Sequence, residues 1–467
     1  MDTIKVLLVD DDALNFIGHA TGYPTDSKNK PSGNQDLSTE VGFFANANYM
    51  YNNRYYADFV YRLSGSSKFG SNQRYGQFWS GGLGWNLHNE NFLKFEKLNL
   101  LKIRGSVGYT GKVNFEPFQS ITMYKYENTL EYLHGIGAIP QTIGNDDLKW
   151  EREFSYNIGA DISLFDRRLN ATLDFYLKRT KDLVLDASIA PSTGVVSGKQ
   201  NIGEMENKGF EFSVDGFIIQ RNDVWWQLGM NGSTNKNRIL KISNALKRQN
   251  ELNNDVAPTR QTPAPLAQYE EGESTSALKV VRSAGIDPAT GREVFIKLDG
   301  TRTFTYSADD KVVVGDTDPR FYGNVYTNVF YKGFSLYIMG SFKCGGYLYN
   351  VTRASRVEGT TGRTNVDRRA FDSRWKEVGD IALYRNITEH SVPQQTDRFV
   401  EKENVLTITS VNLGYEFPQR ICQKMMLRNL RLGVNLSDIL RFSNVKVERG
   451  LDYLYGNGFE FTLSTTF

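Results

Sequence analysis

From residue 41 onward the chain is written in short stretches whose side chains alternate between apolar and polar. The last nine residues, 459–467 (FEFTLSTTF), show it most plainly. Phe459, Phe461, Leu463 and Phe467 fall on one side, and Glu460, Thr462, Ser464 and Thr466 on the other. Successive side chains of an extended strand point to opposite faces, so a period of two specifies strands with one greasy and one polar face. Such strands build either a soluble sheet or a barrel wall. A chain that stops on an aromatic residue suits the closing strand of a transmembrane barrel, its terminal ring at the membrane interface.

The same alternation recurs in about 13 stretches, near 41–51, 55–64, 77–87, 99–110, 150–164, 169–185, 203–219, 224–235, 322–331, 334–342, 404–417, 428–440 and 459–467. The connections between them alternate in length. Short ones follow residues 51, 87, 165, 219, 331 and 417, and long ones follow 64, 110, 185, 235, 342 and 440. Outer-membrane barrels have short periplasmic turns and long extracellular loops, whereas a soluble sandwich has no reason to sort loops by parity. The expected fold is therefore all-β, an antiparallel transmembrane β-barrel with its C-terminus on the short-turn side. An odd set of antiparallel strands cannot close alone, and open edges in lipid cost several kcal/mol per unpaired group. The start, 1–12 (MDTIKVLLVDDD), lacks the pattern of an export signal. Both features lead to the expectation that the chain begins inside a larger protein, with 1–40 irregular and 41–467 the C-terminal part of a barrel.

Composition fits this reading. Among 467 residues, 55 Lys and Arg against 53 Asp and Glu give a net charge of +2, which makes no case for nucleic acid. Cys344 and Cys422 are too few for a disulfide framework. No apolar run approaches the roughly 20 residues of a spanning helix, but a barrel needs none. A mean hydropathy of -0.45 therefore does not exclude a membrane. The 25 Tyr and 29 Phe suit interfacial girdles.

Motifs that suggest chemistry are weak beside this pattern. Residues 4–9 with Asp10, Asp11 and Asp12 resemble the first strand of a response-regulator receiver, but no βαβ units follow. The GSVGYTGK of 105–112 misses phosphate-loop spacing and has Val113 where Ser or Thr is required, so it reads as a strand turn. His19, His88, His134 and His390 have no metal spacing. Asp309, Asp310, Asp316 and Asp318 are a conceivable calcium set but read as a solvated acidic loop. Asp58, Arg62, Arg104, Asp161, Asp174 and Asp215 fall on the polar, lumen-facing side. Tyr124, Tyr126, Tyr132 and Trp375 are loop aromatics able to stack on sugars, though loop packing is the simpler role. The insertion at 236–321 has room for small hairpins, and 343–403 for a short helix near 366–375. No catalytic, cofactor or metal residues are assigned. Two rival classes remain: a secreted β-rich carbohydrate-binding protein, and a glycoside hydrolase with two carboxylates about 5 to 10 Å apart.

Several stretches resemble the C-terminal part of SusC/RagA-type TonB-dependent outer-membrane transporters. They are GSSKFG at 65–70 with Trp79, Gly84 and Trp85; LKIRGSVGYTGK at 101–112; NDDLKWE at 145–151 with Asn157, Ile158 and Gly159; NIGEMENKGFE at 201–211; AGIDPATG at 284–291; and YKGF at 331–334. Lys112 and Ser64 depart from that pattern, where Asn and Asp are usual. The resemblance implies a barrel of about 22 strands, with about nine, the plug and the TonB-contacting segment outside this chain. It also implies non-catalytic import of oligosaccharides or peptides through the outer membrane of a Gram-negative, Bacteroidetes-like cell. The partners it implies are TonB and a SusD-like surface lipoprotein.

Overall fold

The computed structural model describes residues 36–132, 135–188, 194–195, 197–256, 263–360, 366–446 and 456–466. Its strands are β1 (Glu40–Tyr51), β2 (Tyr55–Ser66), β3 (Tyr75–Asn86), β4 (Leu98–Lys112), β5 (Met123–Tyr132), β6 (Gly135–Thr142), β7 (Glu151–Leu164), β8 (Leu169–Ser188), β9 (Ser197–Arg221) and β10 (Val224–Lys241). They continue as β11 (Ala277–Ile286), β12 (Glu293–Ile296), β13 (Arg302–Thr303), β14 (Lys311–Asp316), β15 (Phe321–Tyr331), β16 (Phe334–Tyr349), β17 (Val400–Glu416), β18 (Asn429–Ser443) and β19 (Gly458–Thr466). Helices are few: α1 (Asn244–Val256), α2 (Arg369–Asp372) and α3 (Gln419–Lys424).

A single 13-stranded sheet carries the fold, in the order β1-β2-β3-β4-β7-β8-β9-β10-β15-β16-β17-β18-β19. Each neighbouring pair is antiparallel, as the alternation requires. These are the stretches picked out in the sequence, shifted by a few residues at their ends. Within the described residues the sheet is open, with β1 and β19 each paired on one side. The remaining strands lie in the connections: a hairpin, β5–β6, and a four-stranded sheet, β13-β12-β11-β14.

Register decides what each face carries. Ile103 lies opposite Ala160, Ile158 opposite Phe175, and Leu413 opposite Val434. These apolar side chains are left uncovered: Leu83 is 69% exposed, Ile158 66% and Phe461 81%. A soluble sheet packs such a face into a core. Here the buried clusters lie in the outer connections instead, around Leu278, Val280, Tyr349, Ala354 and Phe399, and around Val357, Ala370 and Tyr384.

Two rows of rings bound the uncovered face. The outer row includes Trp79, Tyr109 and Phe154, with centroids 6.4 Å apart for Trp79–Phe154 and Tyr109–Phe154. It continues through Phe175, Phe210, Phe212, Phe321 and Phe342 at centroid spacings of 4.8, 6.0, 6.0 and 5.0 Å. The inner row includes Tyr55 with Trp85 at 6.2 Å and Phe334 with Tyr415 at 4.3 Å. Phe321 and Tyr331 open and close the 11-residue β15. At ~3.3 Å per residue and a strand tilt of ~40°, that length spans roughly 25 Å of height, the thickness of the apolar band of such barrels.

The turns below the inner row are tight. Lys332 and Gly333 both take positive φ, 45° and 93°, as a two-residue hairpin of matching twist requires. Asn52 and Asn53 also take positive φ, in the three-residue turn between β1 and β2. Length sorts less strictly than the sequence suggests. The connections at 67–74 and 189–196 are no longer than those at 87–97 and 417–428, because the latter two contain a 3-10 turn and α3. The outer ends are built up partly by strand extension instead: β9 runs for 25 residues.

Three local expectations change. Residues 105–112 form no turn but continue β4, paired with β7 as far as Lys112 and Glu151. The register shift beside Trp226 leaves Ile218 as a bulge, so Ile219 takes its place opposite Trp226. Phe217 then joins Trp225 and Phe330 in a stack on the inner face, at 6.4 and 6.0 Å. The helix expected near 366–375 is only the four-residue α2, because Arg374 just beyond it is drawn into a buried network. The receiver-like start, His19, His134 and Phe467 lie outside the described residues, as do the side chains of Tyr126 and Tyr132.

Placing a charge on the uncovered face tests this arrangement. Ile158→Arg is expected to destabilise the membrane-inserted protein by ~2–4 kcal/mol in urea unfolding from lipid. Asn157→Arg, one residue away on the polar face, is expected to cost far less.

Candidate functional site

The inner face is a continuous polar surface. Arg104 of β4 donates to Asp174 of β8 at 2.6 Å and to Asp161 of β7 at 3.3 Å. One strand further, Asn170 and Gln227 both donate to Asp215, each at 3.3 Å. Asp174, Glu211, Asn231, Tyr322 and Asn324 then line a recess of about 310 Å³. Four of the expected lumen residues, Arg104, Asp161, Asp174 and Asp215, therefore fall into these groups, with Arg104 at the centre. Asp58 lies on the same face, its carboxylate 2.5 Å from where a Cβ on Gly82 would sit. Arg62 lies near Gly42 on the outermost pair of strands. Amides, hydroxyls and paired charges of this kind hydrogen-bond a hydrated ligand. Both Asp161 and Asp174 are engaged by the same guanidinium.

Above the outer ring row, the sequence motifs close on one another. Phe69, from the GSSKFG stretch, is 1% exposed and packs its ring 4.3 Å from that of Trp150. The Gly70 N–H donates to the Leu148 carbonyl at 2.9 Å, and the Asn72 N–H to that of Asp146 at 3.1 Å. A Cβ on Gly70 would stand 2.0 Å from the Asp146 oxygen, so only glycine allows the approach. Asn201, opening the NIGEMENKGFE stretch, accepts from the Lys149 N–H at 2.9 Å and donates to its carbonyl at 2.7 Å. Three motifs widely separated in sequence thus form one clasp over β2, β4, β7 and β9.

A second clasp joins the two largest connections, 242–320 and 350–399. Arg398 donates to Glu293 at 2.7 and 2.8 Å and to Glu358 at 2.7 and 2.9 Å. Arg385 adds a bond to Glu358 at 2.9 Å, and Arg374 donates to the carbonyls of Val357, Glu358, Ala370 and Arg385. All five side chains are almost fully removed from solvent. Burial would lower the pKa of the Arg398 guanidinium, but Glu293 and then Glu358 more than offset it and hold it above the usual arginine value. Tyr349, in the adjacent core, is pushed well above the tyrosine range, first by burial and then by Glu293.

Other expected residues have structural surroundings. The Trp375 indole donates to the Pro288 carbonyl at 2.8 Å and its ring packs over Gly291, so it fastens the AGIDPATG turn. Tyr124 is exposed in the β5–β6 hairpin. His88 contacts the Leu101 backbone through Nδ1 on the short-turn side, and His390 is exposed in the outer connection. Asp310 accepts from the Leu298 N–H, and Asp316 from Ser276 and the Asp318 N–H. Among the described residues no three His, Cys, Asp or Glu converge as a metal set. Cys344 and Cys422 are both free thiols. The clasp residues Glu293, Glu358, Arg385 and Arg398 carried no signal in the sequence, because their partners lie up to 105 residues apart.

An uncovered apolar band between two rows of rings, with a polar inner face and folded outer connections, defines the wall of a transmembrane β-barrel. The chain belongs to the TonB dependent receptor-like β-barrel family, whose model matches residues 9–435, and it is of the SusC/RagA type. A TonB-dependent receptor of Formosa agariphila is 28% identical over 434 residues, covering 89% of this chain and 42% of that receptor. SusC of Bacteroides thetaiotaomicron is 35% identical over 214 residues, 44% of this chain and 21% of SusC. In fold, the chain is similar to the RagAB peptide transporter, with a TM-score of 0.78 at 24% identity over 91% of this chain and 46% of that one. The chain spans less than half the length of these relatives.

The ionic clasp yields a specific expectation. Arg398→Met leaves Glu293 and Glu358 buried without their shared cation, a loss worth ~3–5 kcal/mol. Hydrogen exchange is expected to lose that protection across 277–296 and 366–399, while the β7–β10 ladder stays protected.

Proposed function

We propose that this chain forms wall and outer loops of a TonB-dependent importer in the outer membrane of a Gram-negative, Bacteroidetes-like cell. Its cargo is an oligosaccharide or a peptide. The observation that carries the reading is the uncovered apolar band bounded by two aromatic rows. The relatives from Formosa and Bacteroides support the cell type, and the polar inner face suits a cargo rich in hydroxyls or amides. The long outer loops, with a SusD-like surface lipoprotein, capture cargo. TonB then displaces a plug, and both the plug and the TonB contact lie outside residues 36–466. Further strands pair with the free edges of β1 and β19, because open edges in lipid leave groups unpaired at several kcal/mol each.

The rival reading is a secreted β-rich carbohydrate-binding protein. It requires polar side chains where Leu83, Ile158 and Phe461 stand exposed. A deletion strain separates the two. Loss of the receptor carrying this chain is expected to abolish uptake of labelled oligosaccharides or peptides, restored by complementation and blocked by a protonophore. The chain is expected in the detergent-insoluble outer-membrane fraction. Recovery of the chain in the culture medium, with uptake unchanged, would contradict the proposal.

A further inference from the structure

Just above the outer aromatic row, the lipid-facing side of the wall turns from apolar to cationic. Phe212, Phe210 and Lys208 follow one another on the same face of β9 toward its outer end. Lys208 lies directly opposite Lys236 of β10, and Arg238 is the next residue of β10 on that face. Arg320, immediately before Phe321 of the aromatic row, lays its stem against the bulge glycine Gly345. These four cations and Tyr347 line a cleft of about 690 Å³ between the wall and the β11–β14 sheet.

The charges in this cleft are not balanced from within. Among the described residues, none of Lys208, Lys236, Arg238 and Arg320 makes an ion pair or a side-chain hydrogen bond. Of the cleft's acids, Glu273 is ion-paired with Lys279 at 2.7 Å, and Asp316 accepts from Ser276 at 2.5 Å. Glu206 lies across from Arg238 in the ladder and is the remaining acid. Like charges directly opposite in a sheet destabilise it, so the Lys208–Lys236 pair favours a bound anion.

Height identifies the anion's source. One same-face step along a strand is ~6.6 Å, and the headgroup layer extends roughly 5–8 Å beyond the hydrocarbon. Lys208 stands one such step above Phe210, at the level of lipid phosphates. A soluble cargo would enter from the inner face, whereas Lys208, Lys236 and Arg238 fall by register on the outer one. We infer that the cleft formed by Lys208, Lys236, Arg238 and Arg320 binds the phosphorylated headgroup of an outer-leaflet lipid. The inference rests on the membrane-spanning reading. Held between wall and loop sheet, the lipid would fasten the β11–β14 sheet to the membrane surface.

The receptor carrying this chain, inserted into phosphatidylcholine nanodiscs with or without monophosphoryl lipid A, provides the test. Native mass spectrometry is expected to find lipid A retained on the protein, and its dephosphorylated form not retained. The triple exchange Lys208→Gln, Lys236→Gln, Arg320→Gln is expected to weaken retention on the order of 100-fold, at roughly fivefold per charge. Lys236→Gln alone, the gentler variant, is expected to weaken it about fivefold. Insertion is scored separately by heat-modifiable migration and is expected to be unchanged. Equal retention by inserted wild type and variants would overturn the lipid site while leaving the barrel reading intact. Displacement of lipid A by millimolar inorganic phosphate or by a sulfated oligosaccharide would overturn the lipid assignment in favour of a soluble anion. A wild-type receptor that does not insert would overturn the barrel reading and the site with it.

Discussion

Backbone hydrogen bonding in a medium without water is the constraint on which the rest of this structure depends. Each strand must give all its N–H and C=O groups to neighbours, because hydrocarbon offers none. An antiparallel ladder does this, and it fixes the side chains at the same stroke: every second residue faces lipid, the others water. Within the 13-stranded sheet, every strand between β1 and β19 meets that requirement on both sides. The ring rows then mark where the requirement relaxes. Beyond them the chain turns tightly on one side and builds folded connections on the other.

Those outer connections are bodies with their own cores. The long β8, β9, β10, β16 and β17 carry pairing past the outer ring row and give the connections a rigid base. One clasp gathers three motif stretches around Phe69, Leu148 and Asn201; the other joins two connections around Glu358 and Arg398. A buried ionic cluster contributes little net stability relative to apolar packing, but breaking one member is costly. Such a cluster favours one relative arrangement of the two connections over its alternatives. That suits the capture role proposed for these loops, above a barrel wall that stays fixed.

How much of this was legible in sequence follows from the range of the forces involved. Strand identity is local: Phe459, Phe461 and Leu463 against Glu460, Thr462 and Ser464 declare their faces without any partner. All thirteen wall strands were readable for that reason. The Ile218 bulge was not, because a single extra residue leaves the apolar pattern intact while moving Phe217 inward. The clasps were invisible because Glu293 and Arg398 meet only after two connections have folded together. Motifs such as GSSKFG and NDDLKWE were visible as strings, but their mutual packing was not. The Lys208–Lys236 pair likewise exists only once register is set. The polar inner face was legible residue by residue, yet the grouping of Asp161 and Asp174 on Arg104 depends on strand order.

The central claim is that the apolar face meets hydrocarbon, and spin labels report that contact directly. Single cysteines carrying a nitroxide, placed in turn along residues 154–163 of β7 in the bilayer-inserted receptor, would be challenged with oxygen and with a water-soluble nickel chelate. The account predicts oxygen access at 154, 156, 158, 160 and 162 and chelate access at the residues between them, in strict alternation. Equal chelate access on both sides, or exclusion of both reagents from the even positions, would contradict it.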